Sequence, residues 1–192
     1  MSAPTTIYLL RHAQSEPDRT QPEHGWPLSA RGAEQARRLV AALAHLPLDR
    51  FVSSPYRRAI DTIAPIAGAR GASIAIEADL RERTLTTGHA ENWDAMLRAS
   101  WADFALAHPG GESGLACQAR VASCLARLAA RHAGERLLVA SHGNAIALFL
   151  NAIDGSVGYA EWRAMRNPDL FRIEWKPSAF SWDRAFAVPL AR

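Results

Sequence analysis

Two histidine-bearing segments stand directly after apolar runs in this chain: Ile7-Tyr8-Leu9-Leu10 leads into Arg11-His12, and Leu137-Leu138-Val139-Ala140 into Ser141-His142-Gly143-Asn144. Runs of this kind read as buried strands. In an open α/β sheet, the residues just past the carboxyl ends of parallel strands are the ones that meet a ligand. Arg57 follows Phe51-Val52-Ser53 through Ser54-Pro55-Tyr56, and Glu82 follows a weaker strand at Ser73 to Ile76. Parallel packing would carry Arg11, His12, Arg57, Glu82 and His142 to one sheet edge. Two guanidiniums and two imidazoles in one small volume repel each other unless an anion joins them. Phosphate suits that place, because guanidinium forks match its oxygens. Backbone N–H groups at the helix start near Tyr56 would add donors.

Cleavage of a phosphate ester then divides the labour. A neutral His12 can attack phosphorus and form a phosphohistidine. Arg11, Arg57 and His142 would hold the equatorial oxygens. Glu82, with its pKa raised by burial, would protonate the leaving alcohol and later deprotonate water. The chain shows no His/Cys/Asp cluster at metal-ligand spacing and no Walker loop, so neither a metal nor a cofactor is expected. Taken singly these residues have ordinary readings as well: Glu82 between Arg81 and Arg83 could be a surface ion pair, and Gly110-Gly111 a plain turn.

The elements that must position these groups follow from periodicity and breakers. At 192 residues one domain over 1–192 is expected. A helix opens at Ser29 and stops at Pro47, and a second runs from about Tyr56 to Ala67 with Pro65 truncating or kinking it. Residues 83–110 carry large apolar groups at helical spacing and read as a small helical cap, with Trp93, Trp101 and His89 as pocket candidates. Glu112 to about His132 and 144–153 read as helices. Phe171 to Trp175 alternates as an antiparallel or edge strand, and Phe180 to Val188 is its hairpin partner. That hairpin could serve a homodimer or simply close the fold. The fold class is α/β: a three-layer α/β/α sandwich with a mostly parallel central sheet and an antiparallel or edge strand.

Composition excludes several classes. The formal net charge of +3 is too small and dispersed for nucleic acid, although Lys176 is the only lysine among 22 basic residues. The N-terminus has no signal-peptide pattern and no run of about 18 apolar residues occurs, so a cytoplasmic protein without a membrane span is expected. Cys117 and Cys124 share a helix face too far apart for a disulfide and read as reduced core thiols.

The motifs Leu10-Arg11-His12-Ala13-Gln14-Ser15-Glu16, Pro27-Leu28-Ser29 with Gly32, Ser53-Ser54-Pro55 with Arg57-Arg58-Ala59 and Thr62, Leu80-Arg81-Glu82, Pro109-Gly110-Gly111-Glu112-Ser113 and Ser141-His142-Gly143-Asn144 together resemble the histidine phosphatase superfamily, in its phosphoglycerate-mutase-like branch. The resemblance spans about residues 7–153. It implies a phosphoglycerate-mutase-like fold, His12 as the phosphorylated nucleophile, Arg11, Arg57 and His142 as phosphate ligands, and Glu82 as proton donor. Ser15, Gly143 and Asn144, which lie in these motifs, are expected beside phosphate or substrate. Two departures stand out. Ala13 replaces the family's usual glycine, and Asp18 occupies a place where a phosphate-contacting asparagine is common, so it either turns away, accepts from a substrate hydroxyl, or lowers activity.

The short chain resembles the hydrolytic members more than the longer mutases. The expected activity is metal-independent hydrolysis of a small-molecule phosphate monoester, with an apolar or stackable portion under the cap tryptophans. The alternatives are mutase-type phosphoryl transfer, dephosphorylation of protein phosphohistidine, and a non-catalytic module that binds a phosphorylated ligand.

Overall fold

The computed structural model describes residues 4–18, 20–88, 91–177 and 179–190. The strands are β1 (Thr5–Arg11), β2 (Arg50–Ser53), β3 (Ile74–Ile76), β4 (Arg136–Ser141), β5 (Asp169–Lys176) and β6 (Ala179–Asp183). They form one sheet in the order β3-β2-β4-β1-β5-β6. The first four of these pair in parallel, and β5 and β6 add an antiparallel edge. The mostly parallel sheet with antiparallel edge strands is the architecture the sequence implies.

Alternation along the central strands makes the two outer layers. Ile7 and Leu9 of β1, with Leu137 and Val139 of β4, face α4 (Gly114–Arg131) and α5 (Gly143–Ile153). Tyr8 and Leu10, with Leu138 and Ala140, face α1 (Ala30–Ala42) and α2 (Arg57–Gly68). A strand buried on both faces needs an unbroken apolar run, which β1 and β4 supply. Each crossover helix then seals one face. Cys117 and Cys124 are buried free thiols in the α4 layer.

Helix boundaries follow local chemistry. Ser29 and Ser113 cap α1 and α4 by accepting from the N–H of Gly32 and Ala116. Pro65 does not end α2, which continues to Gly68. It sits in the last turn, where the buried Ile63, Ile66 and Ala67 hold the helix against the sheet. The cap is less helical than its apolar spacing predicts: only Trp93–Ala102 forms a helix, α3, and the flanking segments are irregular. A short helix, α6 (Tyr159–Ala164), has no counterpart in the sequence pattern. None of its residues is fully buried, so it leaves no periodic stripe to read. The C-terminal hairpin strand is also shorter than its alternation suggests, ending at Asp183. Among the described residues no helix is long and apolar enough to cross a membrane.

Candidate active site

Register brings the Arg11-His12 and Ser141-His142 segments together, because Arg11 of β1 lies opposite Ser141 of β4. The His12 N–H donates to the Ser141 carbonyl at 3.1 Å, and the Ser54 N–H, just past β2, to the Ala140 carbonyl at 2.9 Å. The His12 and His142 ring centroids stand 5.2 Å apart. His12 Nδ1 sits 2.7 Å from the Ala13 carbonyl oxygen. A carbonyl only accepts, so the proton is on Nδ1 and the Nε2 lone pair is free for another partner. Arg58 Nε donates to it at 3.2 Å. Burial, then the Arg58 charge, with a smaller push from Arg11, drive the His12 pKa down to about 3, so the ring is neutral at physiological pH.

His142 is fully buried, and its Nε2 lies 2.7 Å from Ser54 Oγ. Its Nδ1 is buried without a partner, as is Arg11 Nε. Desolvation, followed by His12 and Arg58, holds the His142 pKa well below the usual imidazole range. The Arg11 guanidinium donates through Nη1 to the Met165 carbonyl at 2.8 Å. It passes so close to Gly143 that a Cβ there would stand 3.1 Å from its Cζ. Glycine at 143 therefore admits the guanidinium; that is its part in the cluster.

The structure turns Arg57 out of the cluster and puts Arg58 in. Arg57 begins α2 on its solvent face, where Nε pairs with Asp61 at 3.3 Å with its side chain 59% exposed. Arg58 is 3% exposed and lies on the inner stripe with Ala59, Thr62, Ile63 and Ile66. One residue is about 100° around a helix, which separates the two arginines completely. The signal was in the spacing: Arg58 stands four residues before Thr62, on the apolar stripe, and Arg57 does not.

Glu82 reaches the N-terminus of α5. Its carboxylate accepts from the N–H groups of Ala145 at 3.0 Å, Asn144 at 3.2 Å and Arg83 at 2.9 Å. Burial raises its pKa, opposed by the Arg83 N–H, the Arg58 charge and the two α5 donors. A carboxyl held near a helix N-terminus yet short of water can keep a proton and still accept N–H bonds with its other lone pairs.

Ala13 fits where glycine was expected. It is fully buried, and its N–H donates to Thr62 Oγ1 at 2.9 Å. Asp18 is engaged locally: its carboxylate accepts from the Thr20 N–H and hydroxyl and from Gln21 Nε2, closing a turn. Ser15 forms a single antiparallel bridge to Leu28, tying together the ends of the 13–28 loop. The side chain of Asn144 faces the cap, accepting from Trp101 Nε1 at 3.2 Å. Trp101 is buried and stacks against Trp162 at 5.9 Å, so it backs the pocket wall from behind. His89 lies outside the described residues.

A cavity of about 290 Å³ opens beside Glu82, lined among others by Trp93, Trp162, Leu97, Asn144, Arg163 and Glu23. Trp162 and Glu23 escaped the sequence pattern because the short elements that carry them, α6 and a 3-10 turn, bury no residue fully. A larger cavity of about 980 Å³, between α1, β5 and the C-terminal segment, is lined by none of the clustered residues. Chemistry, not size, therefore locates the candidate site. Among the described residues no group of three or more His, Cys, Asp or Glu side chains could hold a metal ion.

Residues 7–187 match the model of the histidine phosphatase superfamily, branch 1. The chain belongs to this superfamily. At the family level its chemistry is metal-independent hydrolysis of phosphomonoesters centred on a histidine. Among curated histidine phosphatase relatives, a probable phosphoglycerate mutase GpmB of Escherichia fergusonii is 30% identical over 186 residues, covering 90% of this chain and 86% of that protein. A mycobacterial glucosyl-3-phosphoglycerate phosphatase, solved with inorganic phosphate, is 26% identical with a TM-score of 0.73, covering 93% of this chain and 95% of that one. A putative alpha-ribazole-5'-P phosphatase from Escherichia coli shares the fold at 24% identity and TM-score 0.73, with 93% and 94% coverage.

Proposed function

We propose that this histidine phosphatase hydrolyses a small-molecule phosphate monoester, with His12 Nε2 as nucleophile, Glu82 as acid and base, and Arg11, Arg58 and His142 as the phosphoryl ligands. The observation that carries the reading is the geometry at the His12 ring. Its Nδ1 proton is fixed by the Ala13 carbonyl, and its Nε2 lone pair points to the Arg58 guanidinium beside His142.

The first step forms an N–P bond at Nε2 and breaks the P–O bond of the ester, while Glu82 gives its proton to the departing oxygen. Water then attacks phosphorus as Glu82 takes a proton from it; the N–P bond breaks, and inorganic phosphate and the free imidazole remain. The two guanidiniums and the His142 Nδ1–H hold the equatorial oxygens as charge spreads over them. The 290 Å³ cavity receives the leaving group, and its size suits a small alcohol stacked on Trp93 or Trp162. Trp93 at its rim is 51% exposed and the Glu23 side chain 45%, so water has a way in for the second step.

Rapid quench of the enzyme with a labelled aryl phosphate in EDTA tests this directly. Label should appear on His12 in an acid-labile, base-stable linkage, and His12→Ala should abolish both the label and turnover. Glu82→Gln should slow an alkyl phosphate by about 10²–10⁴-fold and an aryl phosphate much less, since a good leaving group needs little protonation. Equal rates for wild type and His12→Ala, or an activity lost in EDTA, would refute the proposal. Phosphoryl transfer within a phosphoglycerate is the second reading, favoured by the name of the Escherichia fergusonii relative. It requires isomerised phosphoglycerate to form without release of inorganic phosphate.

A further inference from the structure

Arg58 is the most heavily engaged side chain of the cluster, and one of its partners is an anion already in place. Its Nη2 lies 2.6 Å from Glu23 Oε1, and Nη1 donates to the Glu23 carbonyl at 2.9 Å. Nε faces His12 Nε2 at 3.2 Å. Glu23 begins a 3-10 turn, Glu23–Gly25, in the loop between β1 and α1. Trp26 Nε1 anchors that turn by donating to the Asp18 carbonyl at 2.8 Å. The Arg58 guanidinium is stacked 4.9 Å over Tyr56 and 5.8 Å from Trp26, so it is held from the sides as well. No step of phosphate-ester hydrolysis requires Glu23, yet it lines the same cavity as Glu82.

A phosphate dianion arriving at Arg58 meets a guanidinium whose charge Glu23 already balances. It must share the five N–H donors with the carboxylate or push it aside. Arg58 itself is 4% exposed on its side chain and cannot retreat, but the Glu23 side chain is 45% exposed and can rotate into water. Elsewhere the cluster offers phosphate two buried and otherwise unpartnered nitrogens, the Arg11 Nε–H and His142 Nδ1, which carries the ring proton when the Ser54 hydroxyl donates to Nε2. Such a site would hold product as firmly as substrate, and tight uniform binding slows release without helping the chemical step.

We propose that Glu23 is a built-in competing anion that weakens the ground-state hold on phosphate and so speeds its release. The proposal rests on the phosphatase reading above, in which Arg58 binds the phosphoryl group. Glu23 is a positioning and affinity-setting residue; it takes no part in the bond changes.

The test is the equilibrium binding of inorganic phosphate, by calorimetry, to wild type, Glu23→Gln, Glu23→Asp and Arg58→Ala. Glu23→Gln keeps the shape and the backbone carbonyl but removes the charge. Its Kd for phosphate should fall about tenfold, the order expected for deleting one nearby like charge. With an aryl phosphate, KM and the product inhibition constant should fall in parallel, and kcat should stay level or drop as release slows. Glu23→Asp draws the carboxylate back by one methylene and should give intermediate values. An unchanged or higher Kd in Glu23→Gln would overturn the proposal, a rise meaning that the carboxylate merely props Arg58. If Arg58→Ala loses phosphate binding while Glu23→Gln changes nothing, only the role of Glu23 falls. If wild type binds no phosphate, or Arg58→Ala binds it as well as wild type, the phosphatase reading falls and the proposal with it.

Discussion

Arg57 and Arg58 are adjacent in sequence and chemically identical, yet the helix gives them opposite fates. Arg58 donates to His12 and is 3% exposed; Arg57 makes an exposed pair with Asp61 in the next turn. Exposed pairs of that kind contribute little, about 0–1 kcal/mol. Arg57→Ala should therefore leave kcat/KM for an aryl phosphate unchanged. Arg58→Ala should lower it by about 10²–10³-fold, the usual cost of removing one transition-state donor. Steady-state kinetics on the two variants decides the matter, and equal effects would mean the helix face is misassigned. The same contrast separates Trp162, on the pocket wall, from Trp101, which supports it from behind.

At the scale of elements, the site depends on how the 13–28 loop is fastened to α1. The Ser29 N–H donates to the Gln14 carbonyl at 3.0 Å, and Gln35 of α1 accepts from the Gln14 N–H at 3.0 Å. Gln35 Nε2 also donates to the Asn167 carbonyl, and Asn167 Nδ2 to the His12 carbonyl, both at 2.8 Å. One buried amide thus ties the loop after His12 to the segment before β5. The fastening needs Gly32, because a Cβ there would lie 1.9 Å from the Gln14 oxygen. Gly32→Ala should force the loop away from the helix and cost about 1–3 kcal/mol, the range for overpacking. Thermal unfolding should show this as a lower Tm, by roughly 2–4 °C for each kcal/mol lost. Turnover should fall too, since the loop begins at Ala13, whose carbonyl holds the His12 ring through Nδ1; an unaltered Tm would mean that loop and helix are not in contact.

The molecule as a whole stores two uncharged imidazoles, with consequences for its response to acid. The native His12 pKa is about 3 and that of His142 is also lowered, both below the ordinary imidazole value of 6.5. As pH falls through 6.5 the unfolded chain takes up protons that the native one refuses. Stability held above that pH is therefore lost on the acid side, at about 1.4 kcal/mol per pH unit for each histidine. For His12 the window runs from 6.5 to about 3. Glu82, whose pKa is raised, works in the opposite sense above the ordinary carboxyl value of 4.5, favouring the native state as pH falls. Urea midpoints should drop between pH 7 and pH 5 in wild type and drop less in His12→Gln. An identical slope in the two proteins would show that folding does not lower the His12 pKa.

The sequence alone determined the strands that matter, because a fully buried parallel strand leaves an unbroken apolar run that few other structures need. It determined as well that Arg11-His12 and Ser141-His142 stand at the ends of two such strands, and that the ordered motifs belong with the histidine phosphatases. That β1 pairs directly with β4 was decided by the sheet order. Only the tertiary structure decided that Glu23 meets Arg58 across 35 residues, that Trp162 walls the pocket, and that Asp18 serves its own turn. Periodicity reports which side of an element is buried. It says nothing of where an irregular loop or a one-turn helix folds back, since those are placed by contacts between residues far apart in the chain and leave no repeat behind.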